Sequence, residues 1–327
     1  MGKTNILDAI YYLSFCRSFL AGNDSENIRY GEDFFALKGT YELHGGEEET
    51  FTVSLKKGGK KIIKHGKQPY KKFSEHIGKL PCVIISPYDQ YYISGRSDTR
   101  RKFIDMILSQ TDVTYLDNLI NYNKCLEQRN KLLKLIQSGT VTDTLQLDIW
   151  TERMDFHSEI KRNKRREFLN EFINTFKYYY NEVADTDGEA EVTYKTYEGS
   201  LLDILNNNRS KETILGFTSQ GIHRDDLIFL LNNHNVNYHG SQGQQKTFLL
   251  ALKLAQFDYI KTKKKLTPIL LLDDIFDKFD FLRVTKILNL VGNNGNFNQV
   301  FITDTHNERV EKIIPDNKLN ESKIIKL

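Results

Sequence analysis

The chain has 327 residues, 39% of them hydrophobic and 27% charged, with a formal net charge of +3. That composition excludes wholesale disorder, and the length favours two lobes over a single core. With so small a net charge, binding to nucleic acid would have to come from local clustering of lysine and arginine rather than from bulk charge.

Gly2-Lys3-Thr4-Asn5 opens a helical pattern at the N-terminus, with Ile6, Ile10 and Leu13 along one face and Leu7 and Tyr11 beside it. Gly-Lys-Thr at a helix start has the form of the second half of a P-loop. In that motif the lysine reaches phosphates, the threonine hydroxyl ligates Mg²⁺ and the helix N-terminus adds N–H donors. The tripeptide alone is equally compatible with a frayed terminus. The first glycine and the strand of a full P-loop do not precede it, so the expectation from the sequence as written is a late start or a gene fragment that binds ATP poorly and is unstable alone.

Between residues 25 and 79 the pattern changes to short alternating runs. Residues 35–43, 49–56 and 60–64, separated by Gly-Gly pairs, predict an antiparallel sheet. Lys56, Lys57, Lys60, Lys61, Lys64, Lys67, Lys71 and Lys72 make this the most basic part of the chain. They suit either a solvated edge that resists strand pairing or contact with a phosphate backbone. Residues 82–86 read as a buried strand closed by Pro87-Tyr88-Asp89-Gln90. From Arg100 to about Tyr180 apolar positions recur at helical spacing, broken at 139–143, which predicts a helical hairpin or small bundle. Within it Lys161, Arg162, Lys164, Arg165 and Arg166 form a basic run, mostly exposed if helical and open to DNA, although such a run is more often a solvated face.

Residues 189–197 and 227–231 predict two more strands, with a polar break at 206–209. The cluster His223-Arg224-Asp225-Asp226 is read as an internal salt-bridge hub in preference to a nucleotide or partner contact. The stretch 240–280 carries the most chemistry. Ser241-Gln242-Gly243 opens an amphipathic helix bearing Phe248, Leu252, Ala255 and Tyr259, and its turn offers N–H groups to an anion. The apolar run 269–272 reads as a strand buried on both faces. Asp273 and Asp274 follow at its C-terminal end, where open α/β sheets bind ligands. One such carboxylate can hold Mg²⁺ and its neighbour can orient or deprotonate a water. A helix over 282–290 and a strand over 299–303 lead to Asp304, Thr305 and His306. Cys16, Cys82 and Cys125 lie far apart without CxxC spacing, which argues against zinc and suits a reducing compartment. With no membrane-length apolar run and no signal-peptide layout, the expectation is a cytoplasmic protein without a membrane partner.

Taken in order, these segments resemble the ATPase heads of the ABC/SMC/Rad50 superfamily, and within it the RecF family of bacterial DNA recombination and repair proteins. The resemblance is carried by Gly2-Lys-Thr-Asn-Ile-Leu-Asp-Ala-Ile10, Arg100-Arg-Lys-Phe-Ile-Asp105, Tyr122-Asn-Lys-Cys-Leu-Glu-Gln-Arg-Asn130 and Leu132-Leu-Lys134. It continues in His223-Arg-Asp-Asp-Leu227, Gly240-Ser-Gln-Gly-Gln-Gln-Lys246, Ala251-Leu-Lys-Leu-Ala255 and Leu271-Leu-Asp-Asp274. It implies an α/β fold: a P-loop ABC-type head over 1–97 and 211–327, combining a mixed sheet with an antiparallel β subdomain, and an inserted, mostly helical lobe over 98–210. It implies ATP and Mg²⁺ as cofactors. Gly2, Lys3, Thr4 and Asn5 then correspond to the end of Walker A, with Thr4 and Asp273 as Mg²⁺ ligands and Asp274 as general base. Ser241, Gln242, Gly243 and Gln244 correspond to the signature motif, which meets the ATP of a second copy, while Asp280 matches the D-loop, Gln90 the Q-loop and His306 the switch. The implied function is ATP-dependent binding of gapped, single- or double-stranded DNA in recombinational repair. It includes dimerisation on ATP, weak DNA-stimulated ATPase and recombinase loading with RecR/RecO-type mediators. A transporter nucleotide-binding subunit and a non-hydrolysing DNA scaffold are the alternative readings.

Overall fold

The structure, a computed structural model, describes residues 2–325 apart from 44–45, 143, 185–187, 275–282, 287–289, 291–297 and 305–321. In chain order its elements begin with α1 (Lys3–Phe15), β1 (Phe34–Glu42), β2 (Glu48–Lys56), β3 (Ile62–His65), β4 (Gln68–Pro69) and β5 (Cys82–Ile85). Helices α2 (Gln90–Ser94), α3 (Ser97–Thr111), α4 (Val113–Gln137) and α5 (Leu145–Val183) follow, then β6 (Ala190–Lys195), α6 (Leu201–Asn207) and α7 (Arg209–Leu215). Last come β7 (Asp226–Leu231), β8 (His234–Asn235), α8 (Val236–His239), α9 (Gln242–Lys264), β9 (Ile269–Asp273) and β10 (Val300–Thr303). Two compact units result, one of Met1–Tyr88 with Gln256–Leu327 and the other of Asp89–Ala255.

In the first unit, β1 to β4 form an antiparallel sheet whose register runs Phe34↔Lys56 to Glu42↔Glu48 across β1 and β2. Alternation turns Phe51, Val53 and Leu55 of β2 inward, where Val53 and Ile63 pack against Tyr12, Leu13 and Cys16. A second, parallel sheet has the order β10-β9-β5. Strand β9 is central there, paired on both sides, so Leu270, Leu271 and Leu272 are wholly buried, as an unbroken apolar run requires. Helix α1 contacts both sheets. Its buried stripe is therefore Leu7, Tyr11, Tyr12, Leu13 and Phe15, and the stripe expected through Ile6 is corrected. Ile6 is 45% exposed and lines, with Ile10, Leu37 and Phe301, a cavity of about 710 Å³.

The second unit is built on α4 and α5, the predicted helical hairpin, joined through residues 138–144. Helix α5 is 39 residues long and buries Phe168, Phe172, Phe176 and Tyr180 at helical spacing. The Phe248 ring of α9 packs at a tilt against Phe176, with centroids 4.8 Å apart, and against Phe229 at 5.3 Å. Strands β6, β7 and β8 make a separate antiparallel sheet with Ala190 opposite Leu231. Because β7 pairs with β6 and α7 packs on α4, residues 211–255 group with the helices rather than with the outer segments of the chain. The polar break expected at 206–209 is two short helices meeting at Asn208. Of the helix expected over 282–290, residues 283–286 are helical, and most of the rest lies outside the described residues.

Candidate nucleotide site

Three elements of the first unit converge on Asp273. The residue ends β9 and is buried, and its Oδ1 accepts from the Thr4 hydroxyl of α1 at 3.0 Å and from the Thr303 hydroxyl of β10 at 2.8 Å. Thr303 Oγ1 also accepts the Asp274 N–H at 3.2 Å, so one hydroxyl ties both carboxylate positions to the neighbouring strand. Asp274 has φ +46, a left-handed conformation that aspartate tolerates better than most residues and that recurs at functional turns. Lys3 Nζ donates to the Asp304 carbonyl oxygen, just beyond β10.

The start of α1 is shaped for an anion. Its first helical hydrogen bond runs from the Ile6 N–H to the Gly2 carbonyl, so the amides of Lys3, Thr4 and Asn5 precede the helical ladder. Gly2, at the N-cap, offers no side chain to cap them, and the first turn holds no acidic residue. Gly2 has φ +108, and among the described residues beyond its chain neighbours nothing lies within 4 Å of where a Cβ would stand. A hydroxyl and a carboxylate 3.0 Å apart, both hard oxygen donors, suit Mg²⁺, which takes few protein ligands and keeps its waters. The residues present thus fit ATP with Mg²⁺. The resemblance places Thr303 to His306 in the switch region, but the contacts of Thr303 with Asp273 and of the Asp304 carbonyl with Lys3 were not foreseen from sequence. A hydroxyl closing an apolar strand beside the Leu-Leu-Asp-Asp strand was the available signal.

In the second unit, Ser241 and Gln244 form a reciprocal capping box at the start of α9. The Ser241 N–H donates to Gln244 Oε1 at 2.9 Å, and the Gln244 N–H donates to Ser241 Oγ at 3.2 Å. Ser241 and Gln242 are exposed and Gly243 is half-buried. The Ser241 amide of the expected anion turn and the Gln244 amide after it are therefore already satisfied by side chains, which a phosphate would have to displace. Gln90 donates to Gln245 Oε1 at 2.9 Å, and Gln245 Nε2 reaches the carbonyls of Val236 and Gly240. Asp280 and His306 lie outside the described residues.

The basic run of α5 requires correction. Lys161 and Arg165 are 2% and 1% exposed and face inward, because a helix packed on several elements buries every third or fourth residue whatever its charge. Arg165 pairs with Asp105 at 2.8 Å and Asp225 at 3.0 Å. Lys161 Nζ lies 5.6 Å from the Tyr115 ring and 5.0 Å from the Tyr122 ring, and burial pushes its ammonium down to about 7. Lys164 pairs with Asp112 at 3.0 Å, and Arg162 donates to the Gly199 carbonyl at 2.9 Å. Arg166 is the one basic residue of the run that is exposed. The 223–226 cluster is the internal hub expected. Arg100 grips Asp226 with two hydrogen bonds of 2.7 and 2.9 Å, and Asp225 is held by Arg165. His223 Nε2 donates to the Thr218 carbonyl, so Nδ1 accepts from the Tyr122 hydroxyl at 2.7 Å. Burial lowers this neutral imidazole to about 4.

Against known proteins, the chain is 46% identical over 317 residues to the DNA replication and repair protein RecF of Phocaeicola vulgatus, covering 96% of this chain and 84% of that one. It is 45% identical over 316 residues to the RecF of Flavobacterium johnsoniae, covering 96% and 88%. The chain belongs to the RecF family. No protein-family model matches it. The solved structure of the recombination mediator protein RecF-ATP in the RecFOR pathway superposes with a TM-score of 0.86 at 28% identity, covering 94% of this chain and 84% of that one. An Smc head domain from Pyrococcus furiosus superposes at 0.52 with 15% identity, covering 95% and 82%, a likeness of fold alone. The fold is accordingly the α/β ABC-type ATPase head. Among the described residues no helix is long and apolar enough to cross a membrane.

Proposed function

We propose that this RecF-family chain is an ATP-dependent DNA-binding protein of recombinational repair and replication-gap processing, with weak DNA-stimulated ATPase. The observation that carries the proposal is the 3.0 Å approach of Thr4 and Asp273, a hydroxyl and a carboxylate at the N-terminus of a helix and the end of the central strand. Mg²⁺ held there would neutralise phosphate charge. Lys3 places an ammonium at the same helix start, and the first-turn amides of Lys3, Thr4 and Asn5 donate to phosphate oxygens. Asp274, turned by its left-handed backbone, is the residue to orient a water and accept its proton. Ser241, Gln242, Gly243 and Gln244 serve the ATP of a second copy, so that ATP joins two chains. RecR/RecO-type mediators and loading of recombinase on single-stranded DNA belong to the same reading, in the cytoplasm. Asp280 and His306 complete the proposed site.

Retention of gapped duplex on the purified protein tests it. With ATP and Mg²⁺ the protein should hold the DNA, and Lys3→Ala should release it. Retention indifferent to both nucleotide and substitution would overturn the mechanism.

A further inference from the structure

The first unit carries a second feature that the nucleotide site does not use. Lys56, Lys57, Lys60 and Lys71 are exposed and line, with Lys61 and Asn23, a cleft of about 660 Å³ at the turn between β2 and β3. Residues 50–74 contain no aspartate or glutamate but eight lysines, in a chain whose net charge is only +3. Positive charge is thus concentrated on this stretch, five of whose lysines line the cleft, while the remainder of the chain is net acidic.

The cleft's carboxylate is already taken. Asp24 accepts from Lys61 Nζ at 2.5 Å and from the Tyr12 hydroxyl. Lys61 also donates to the Cys16 carbonyl and lies 5.3 Å from the Phe73 ring. Its charge is spent on holding the cleft wall. Among the described residues Lys56, Lys57, Lys60 and Lys71 have no ion pair. The turn itself is ordered: Gly58 takes φ +70, Gly59 N–H donates to the Lys56 carbonyl at 2.8 Å, and Lys57 N–H donates to the Asp33 carbonyl at 2.7 Å. Lysines commonly guard sheet edges against pairing, but that role does not account for these. Strand β2 is interior to the order β1-β2-β3-β4, and the edge strand β4 carries Pro69, which cannot extend a ladder.

Like charges gathered without partners repel one another, and a polyanion relieves that repulsion. We propose that this cleft is a contact site for the sugar–phosphate backbone of DNA, positioning it without reading sequence. The tip residues Lys57-Gly58-Gly59-Lys60 present no apolar side chain to insert into a bilayer, and the cations surround a concavity rather than a flat face, which favours a phosphate ridge over a membrane surface. The inference rests on the DNA-binding reading above.

Salt-dependent DNA binding of the full chain tests it, with two duplexes of unrelated sequence. A variant with Lys56, Lys57, Lys60 and Lys71 all changed to Gln should bind both duplexes at least about tenfold more weakly. The slope of log K against log salt should fall by about 3 to 4, since each neutralised phosphate contributes about 0.9. Binding of a fluorescent ATP analogue should not change, and the corresponding Arg variant should keep the wild-type slope. Should the fourfold variant fold poorly, Lys57→Gln and Lys60→Gln singly should each lower the slope by about 1. Wild-type affinity and slope in these variants would overturn the inference while leaving the DNA-binding reading intact. The same loss from Lys131→Gln with Lys134→Gln on α4 would also overturn it. Loss of binding to anionic phosphatidylserine vesicles without loss of DNA binding would point to a membrane and overturn it too. If the wild type bound neither duplex, with or without ATP, the DNA-binding reading itself would fail first.

Discussion

Asp273 and Lys161 show how burial gives one charged residue a ligand-binding role and another a structural one. Asp273 is buried, yet its carboxylate meets two hydroxyls that neutral or charged partners could replace. Asp273→Asn keeps a carbonyl oxygen for Thr4 and Thr303, so the stability change should stay within about 1 kcal/mol. Mg²⁺-dependent binding of an ATP analogue should disappear, as a fluorescence titration with and without the metal would show. Undiminished Mg²⁺ dependence would remove Asp273 from the proposed site. Lys161 and His223 are both held below their ordinary values of 10.5 and 6.5, at about 7 and about 4. The unfolded chain therefore binds more protons than the folded one, and stability rises with pH across each interval. Stability is lost as pH falls from 6.5 toward about 4 through His223, and it increases from about 7 toward 10.5 through Lys161. Lys161→Met should flatten the upper limb in urea titrations. An unchanged slope there would mean that the ammonium stays charged between its two tyrosines.

At the scale of elements, helix ends and buried ion pairs carry the specificity of the second unit. The capping box at the start of α9 predicts that Ser241→Ala lowers stability by about 1 kcal/mol, measurable by thermal or urea unfolding. Arg129 of α4 and Glu212 of α7 are 1% and 0% exposed and 2.7 Å apart. Arg129 also donates to Thr151 and Thr218, so it links α4 to α5 and to the segment after α7. Glu212→Ala would leave that guanidinium buried without its counter-charge and should cost about 3–5 kcal/mol in unfolding free energy. A loss below about 1 kcal/mol would show that the threonines and water suffice. These elements differed in how far periodicity revealed them. Strand β9 was legible because four consecutive apolar residues ending in two aspartates leave few alternatives. Helix α5 was legible as a helix, but its inward residues were not, since a basic side chain that snorkels and one that pairs in a core look alike in sequence.

For the whole molecule, the separation of the Lys3-Thr4-Asp273 group from the Ser241 turn into different units bears on assembly. If ATP joins two copies as proposed, light scattering should show mass doubling with ATP and Mg²⁺. Ser241→Arg should abolish the doubling while a single chain still binds the nucleotide. Doubling that persists in Ser241→Arg would place the contact elsewhere. Much of this protein was determined by local sequence. The apolar strand before Asp273, the Gly-Lys-Thr helix start, the alternating β1 and β2 and the helical stretch from Arg100 depend on side-chain periodicity and on residues within a turn or two. Their order along the chain carried the family resemblance. Tertiary structure alone decided which distant residues meet: Thr303 at Asp273, the Asp304 carbonyl at Lys3, Asp225 at Arg165, and the grouping of residues 211–255 with the helices. The physical reason is that these contacts close loops of many residues, and which loop closes depends on the packing of whole elements rather than on any local pattern. The same packing buried Lys161 and Arg165 in the core and left the lysines of the β2–β3 turn exposed around a cleft.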